Sequence, residues 1–255
     1  MNIVAVIPAR MGSSRFPGKP LADIHGIPMM GHVFKRTAMC SLLSATYVAT
    51  CDQEIFDFVL SAGGKAVMTA DTHEHCTDRT AEALEAIEIE TGEQVDIVVM
   101  VQGDEPMVSP GMIEASVQAM LDDPSVNVVN LMTEMKTTAE FEDPNEVKVV
   151  TDLKNNALYF SREPVPSRKK GVDVVPMRKQ VCIIPFRRDY LLKFNAMPET
   201  PLERIESVDM LRILEHGESV RMVAMETDSL SVDTPEDLAR VVEMMREDSL
   251  RSEYQ

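Results

Sequence analysis

After a first apolar run, Ile3-Val4-Ala5-Val6-Ile7, the chain reads Pro8-Ala9-Arg10-Met11-Gly12-Ser13-Ser14-Arg15-Phe16-Pro17-Gly18-Lys19-Pro20. Three basic residues, two hydroxyls and two glycines in one loop suit an anion. Glycine lets backbone N–H groups converge on phosphate oxygens, and Arg and Lys supply charge. The spacing is not that of a Walker A loop, because five residues rather than four separate Gly12 from Gly18, and Pro20 stands where Ser or Thr would hold a metal. No G-x-G-x-x-G dinucleotide fingerprint follows the run. A second cluster, Gln102-Gly103-Asp104-Glu105-Pro106, comes directly after the apolar run that ends at Val101. A carboxylate there is badly placed for stability and well placed to hold a hard cation. In the third cluster, Ser231 to Leu238, Thr234 reads as a helix N-cap with Pro235 at the first helical position and Asp237 three residues on. That leaves Asp233 pointing elsewhere.

The elements needed to bring these clusters together are legible as alternation. Strand-like runs at Ile3 to Ile7, Ala45 to Ala49, Ala66 to Thr69 and Ile97 to Val101 are separated by helical patterns at Met29 to Cys40, Gln53 to Ala62 and Thr77 to Glu90; Pro110 to Leu121 follows the last strand. Nearly continuous apolar strands between helices predict a mostly parallel α/β sheet covered on both faces. In such sheets ligands bind beyond the carboxyl ends of the strands, where the first two clusters fall. From about 122 to 190 the pattern becomes strand-rich, with runs at Val126 to Met132, Val147 to Thr151, Ala157 to Phe160 and Gln180 to Ile184 and a basic turn at Ser167 to Gly171. This stretch reads as an inserted subdomain, a mixed or antiparallel extension of the kind that often serves dimerisation, within a single α/β domain spanning 1–255. A helix over Glu203 to Glu215, a strand over Val220 to Met225 and an amphipathic helix over Pro235 to Arg246 follow, and the polar tail from Glu247 is expected to fray.

Composition limits the partners. The 255 residues carry 42 acidic and 25 basic side chains, a formal charge of −17 that argues against duplex nucleic acid. No run approaches the roughly 18 apolar residues of a membrane span, and Pro8 and Arg10 interrupt the first apolar run too early for a signal peptide. Cys40, Cys51, Cys76 and Cys182 form no C-x-x-C pair, which fits a reducing cytoplasm.

Together the loop from Ile7 to Leu21, Thr77-Asp78-Arg79-Thr80-Ala81-Glu82, Val101 to Pro106, Pro144 to Val150, Ala157-Leu158-Tyr159-Phe160-Ser161-Arg162 and Val232 to Leu238 resemble the CMP-KDO synthetases, the 3-deoxy-manno-octulosonate cytidylyltransferases. The matches run in the family's order from residue 3 to about 240. The resemblance implies a Rossmann-like nucleotidyltransferase fold and a cytosolic, Mg²⁺-dependent homodimer that couples CTP to an acidic 3-deoxy-ulosonic sugar and releases pyrophosphate. By the same resemblance Arg10, Lys19, Asp104 and Asp233 are the catalytic set, the two aspartates holding Mg²⁺. Pro8, Ala9, Gly12, Ser13, Ser14, Arg15 and Gln102 join Arg10 and Lys19 around the nucleotide. Arg79, Gln102, Arg162, Gln180, Ile184, Glu206 and Asp209 take the sugar.

Departures concentrate on the sugar side. The family's H-x-S-G-T-D-R is His73-Glu74-His75-Cys76-Thr77-Asp78-Arg79 here; its H-I-G-I-Y-A-Y-R is Gln180 to Arg187, with Gln180 and Ile184 in place of His and Tyr; its E-x-L-E-Q-L-R is Glu206 to Arg212, with Asp209 and Met210 in place of Glu and Gln. Intact nucleotide positions beside several altered sugar positions suggest an acceptor that is KDO or a variant such as 8-amino-KDO. A different anionic acceptor, such as a sugar 1-phosphate, and a binding protein without activity are the alternatives. His73, His75 and Cys76 also invite a zinc reading, but a fourth ligand is missing and adjacent His75 and Cys76 suit a rigid site poorly, so a place in the sugar pocket is preferred.

Overall fold

In the computed structural model, which describes residues 1–13, 15–171, 174–226 and 230–255, strand β1 (Ile3–Ala9) is buried along its whole length. Val4 and Val6 enter one hydrophobic cluster and Ile3, Ala5, Ile7 and Ala9 the other, the period of two that a strand covered on both faces requires. A 3-10 turn at Lys19–Leu21 and a short hairpin of β2 (Asp23–Ile24) and β3 (Ile27–Pro28) lead into α1 (Met29–Ala38). There follow β4 (Ala45–Thr50), α2 (Gln53–Ser61), β5 (Lys65–Met68), α3 (Cys76–Thr91), β6 (Ile97–Val101) and α4 (Pro110–Asp122). The strand-rich part holds β7 (Val129–Glu134), α5 (Thr138–Glu142), β8 (Lys148–Thr151), β9 (Ala157–Ser161), β10 (Arg178–Val181) and β11 (Ile183–Arg187). The chain continues through α6 (Arg188–Asn195), α7 (Pro201–Glu206), α8 (Met210–Glu215), β12 (Arg221–Ala224) and α9 (Pro235–Met244).

The main sheet has the order β11-β6-β1-β4-β5. Its four central and distal strands run parallel, and β11 adds antiparallel to β6. Helices α3 and α6 pack one face, and α1, α2 and α4 the other. The expected α/β class and parallel core are therefore present. A second five-stranded sheet, β12-β7-β10-β8-β9, stands beside the first. It takes its outer strand from beyond residue 190, since β12 pairs with β7 in parallel.

Three expectations are corrected. The run from Gln180 to Ile184 is not one strand: β10 pairs with β7, β11 pairs with β6, and Cys182 is the crossing point between the two sheets. Val181-Cys182-Ile183-Ile184 is one continuous apolar run, so the sequence pattern alone cannot show that the partner changes. The stretch from Glu203 to Glu215 is two helices, because Ser207 takes a left-handed φ of 53° after the capped turn of α7. The tail does not fray. It forms a 3-10 turn at Ser249–Glu253, and Tyr254 docks on α1, its hydroxyl 2.7 Å from His32 Nδ1 and 2.8 Å from Arg36 Nε. Lys35 Nζ adds a bond to the Tyr254 carbonyl, and Arg36 pairs with Asp248. A polar composition hid these fixed partners.

Candidate active site

The carboxyl ends of β1, β4 and β6 lie side by side, so the loops after them share one edge of the sheet, as parallel topology dictates. The loop after β1 is closed by Gly18, whose left-handed φ of 77° lets its N–H reach the Met11 carbonyl at 3.0 Å. Asp52, just past β4, pins the other side by accepting the Met11 N–H at 2.7 Å. Gly103, just past β6, approaches so closely that a Cβ there would lie 2.9 Å from the Pro8 carbonyl oxygen and 2.7 Å from Met30 Cε. Glycine is what allows the two loops to touch.

Lys19 stands at the centre. Its Nζ donates to Asp104 Oδ2 at 2.8 Å, to the Val232 carbonyl at 2.8 Å and to Asp233 Oδ1 at 3.3 Å. Arg15 reaches the same Asp233 oxygen at 2.9 Å. Burial alone would lower the Lys19 ammonium, but Asp104 and Asp233 outweigh it and hold its pKa above the ordinary value. The expected cap at Thr234 is present, bonded reciprocally with Asp237, and Asp233 is indeed turned the other way, into the site. Asp104 Oδ1 is buried and has no hydrogen-bond partner among the described residues.

A cavity of about 370 Å³ opens over this cluster, lined on the loop side by Pro8, Ala9, Arg10, Gly12, Ser13 and Arg15. Arg79, from the first turn of α3, closes the far wall. It is buried; Nη1 donates to Thr69 Oγ1 at 2.5 Å and to the Ala70 carbonyl at 3.2 Å, while Nη2 is left without a partner among the described residues. A second cavity of about 270 Å³ shares Arg15, Gln102, Asp104 and Asp233 with the first and extends toward the second sheet, where Arg162, Gln180 and Asp209 line it. The sequence motifs, more than 200 residues apart, thus meet around two adjoining cavities. Ser14 lies outside the described residues.

Two of the residues assigned to the sugar are elsewhere. Ile184 is buried in the apolar cluster under α3 and α6 and lines neither cavity. It pairs with Met100, and the alternation of β11 sends it to the same face as Phe186; Cys182 takes the cavity position instead. Glu206 also lines neither cavity. Its carboxylate accepts from Tyr159 Oη and Ser161 Oγ, each at 3.0 Å, and from the Arg162 N–H at 2.8 Å. Asp209 does reach the second cavity. Burial raises its carboxyl group, against the opposing influence of His75 and the Thr77 hydroxyl that donates to it at 3.1 Å.

His73 is turned to Glu82 and His75 to Glu199, and among the described residues no group of three such side chains is placed to hold a metal. Burial pushes the Cys76 thiol up to about 12 and also raises Cys182, so neither is a ready thiolate ligand. His75 and Cys76 instead line both cavities. Sequence reasoning missed Asn145 and Glu146, which line the second cavity, although the motif Pro144 to Val150 contained them. It also missed Asp52, whose signal was a lone carboxylate just past a parallel strand.

Phosphate-suited loop, paired carboxylates and parallel sheet define a nucleotide-handling α/β enzyme, and the family follows. The chain belongs to the cytidylyltransferase family, whose model matches residues 4–220, and it is a nucleotidyltransferase. It is 44% identical over 257 aligned positions, covering 97% of this chain and all of the relative, to a 3-deoxy-manno-octulosonate cytidylyltransferase of Trichlorobacter lovleyi. A protein of the same description from Syntrophotalea carbinolica is 45% identical over 254 positions, 96% of this chain and 99% of the relative. The solved structure of CMP:2-keto-3-deoxy-manno-octonic acid synthetase complexed with CTP superposes with a TM-score of 0.89 at 38% identity, over 97% of this chain and all of the other. A 4-diphosphocytidyl-2C-methyl-D-erythritol synthase from Anaerococcus prevotii shares the fold, with a TM-score of 0.65 at 16% identity over 96% of this chain and 99% of that one.

Proposed function

We propose that the chain couples CTP to the anomeric hydroxyl of a 3-deoxy-ulosonic acid, giving the CMP-sugar and pyrophosphate. The observation that carries this reading is the position of Asp104 and Asp233, both bonded to Lys19, on the boundary between the two cavities. A nucleotide on the basic-loop side and an acceptor on the other meet at that boundary. The acceptor oxygen attacks the α-phosphorus, the bond to the β-phosphate oxygen breaks, and the hydroxyl proton leaves to solvent. Arg10, Ser13, Arg15 and Lys19 offset phosphate charge, with Ser14 in the same loop, while the backbone of Pro8, Ala9 and Gly12 faces the nucleotide. Gln102 serves both sides. Holding the two reactants in line provides much of the rate gain, and no nucleophilic side chain is required.

Magnesium fits the donor set. Asp104 and Asp233 offer hard oxygens, and the unpartnered, buried Asp104 Oδ1 is the kind of atom a cation satisfies. These two carboxylates would hold Mg²⁺, which supplies Lewis-acid neutralisation of phosphate charge.

Arg79, with its unpartnered Nη2, supplies an anion-binding group at the wall of the first cavity; Gln180 and Asp209 are the altered positions that do reach the acceptor side. They support an acceptor that is KDO or an amino-substituted variant of it. A cytosolic homodimer, with the second sheet at the interface, belongs to the same reading and rests on the resemblance. The experiment is pyrophosphate release with CTP and Mg²⁺ across KDO, its 8-amino analogue, a nine-carbon ulosonic acid and a sugar 1-phosphate. Turnover with an eight-carbon ulosonic acid is expected. Preference for the 8-amino analogue supports the variant, equal or better use of KDO defeats it, and turnover of the sugar 1-phosphate alone overturns the reading.

A further inference from the structure

Lys148 and Arg162 are two cations in or behind the wall of the second cavity, and among the described residues neither makes an ion pair. Lys148 is completely buried, and each of its three donors goes to a main-chain carbonyl: Asp143 at 2.7 Å, Glu146 at 2.8 Å and Arg162 at 2.5 Å. Arg162 answers in kind. Its Nη1 donates to the Pro144 carbonyl at 2.9 Å, its Nε to that of Glu206 at 2.6 Å and its Nη2 to that of Ser207 at 3.3 Å. Three stretches of backbone, 143–147, 161–163 and 206–209, are therefore cross-tied by two buried or half-buried positive charges. Those stretches present Asn145, Glu146, Ser207 and Asp209 to the cavity, and Ser207 is the left-handed residue that breaks α7 from α8.

We propose that Lys148 and Arg162 form a positioning clamp that holds the acceptor wall, and that Arg162 is not the ligand of the acceptor's carboxylate. A carboxylate is bound bidentately by two parallel N–H groups of a guanidinium. The side-on pair is closed here, because the single Nε–H is given to the Glu206 carbonyl. Charge-assisted bonds to carbonyls are strong enough to order loops that few apolar contacts would otherwise hold. The clamp rests on the second cavity being the acceptor site, as proposed above.

The test compares the intact chain with Arg162→Gln, Arg162→Lys and Lys148→Met. Each is measured for CTP affinity, for acceptor KM and for the acceptor's carboxamide analogue, scored as substrate or inhibitor, and each is followed by hydrogen exchange. Arg162→Gln and Lys148→Met should raise acceptor KM roughly tenfold or more, since wall displacements of this kind degrade positioning. CTP affinity should stay within about twofold, because the phosphate loop does not depend on the clamp. The penalty should be the same for the carboxamide, Arg162→Lys should not rescue it, and exchange should quicken at 143–147 and 206–209 but not at 10–19. A penalty that vanishes with the carboxamide, or rescue by Lys, would make Arg162 a direct ligand and overturn the clamp. So would Lys148→Met with unchanged KM and exchange; if that variant does not fold, the Arg162 pair decides. Should the unaltered chain use no ulosonic acid, the function reading fails, and exchange alone decides the clamp: unchanged protection overturns it.

Discussion

At the scale of single residues, the site is an arrangement of opposite charges that ligands must reorganise. Lys19 neutralises Asp104 and Asp233 from within hydrogen-bond distance, and the two carboxylates keep its ammonium charged despite its burial. Replacing either carboxylate by the isosteric amide removes charge without removing volume. Asp104→Asn and Asp233→Asn should each lower turnover by about a hundredfold or more, the scale seen when one electrostatic contact to a reacting group is lost. Both should leave thermal unfolding nearly unchanged, since a partly exposed ion pair contributes little to stability. Pyrophosphate release checks the first expectation and calorimetry the second. Near-normal turnover in either variant would remove that residue from the proposed metal pair. These residues were legible in the sequence because a Lys in a basic loop, an aspartate just past a core strand and another just before a helix cap have no local structural use that explains them. Ile184 and Glu206 were not, since an apolar residue on a strand and a carboxylate on a helix are also ordinary core and hydrogen-bonding residues.

At the scale of elements, catalytic geometry depends on how closely the ends of β1 and β6 approach. Gly103 is the contact point, and the obstacle to any side chain there includes the Pro8 carbonyl, a backbone atom that cannot rotate aside. Gly103→Ala should therefore destabilise the chain by about 1–3 kcal/mol, and separating the loops should reduce turnover by more than the unfolded fraction accounts for. Denaturant titration and kinetics on the same preparation check this; unchanged stability and rate would show that the loops have slack. The broken helix at Ser207 belongs to this scale too. A continuous helix over 203–215 was the natural reading of the apolar spacing, but the left-handed Ser207 at the C-cap and the Glu206 and Ser207 carbonyls held by Arg162 end α7 early. That break is what delivers Asp209 to the cavity.

At the scale of the whole molecule, the chain's end supports its beginning. Tyr254 seats on His32 and Arg36 of α1, and the same helix carries Met30, which packs against Gly103. Tyr254→Phe keeps the ring and removes the hydroxyl, leaving buried donors without a partner, and should cost about 1–3 kcal/mol in urea unfolding. Unaltered unfolding would mean that the tail contributes nothing. Burial lowers the His32 pKa, with Arg36 and Arg251 also opposing its charge and only the Ile24 carbonyl favouring it. A histidine depressed in the folded state contributes stability that is fully present above its unfolded value of about 6.5 and is lost as pH falls below it. The docked tail should thus weaken in mild acid.

What the sequence determined by itself was local and chemical. Nearly continuous apolar runs set the parallel strands and the helical patterns between them set the helices, and the anomalous polar clusters marked where chemistry happens, because such residues have no local reason to be there. Which sheet β10 and β11 join, where the last long helix breaks, that the tail is fixed, and which sugar-side residues face the cavity were decided only in three dimensions. Each depends on a partner far away in the chain: Met132 and Met100 for the two strands, Arg162 for the helix break, and α1 for the tail. Periodicity records how a segment is buried and not what buries it, so long-range partners are legible only once the chain is folded.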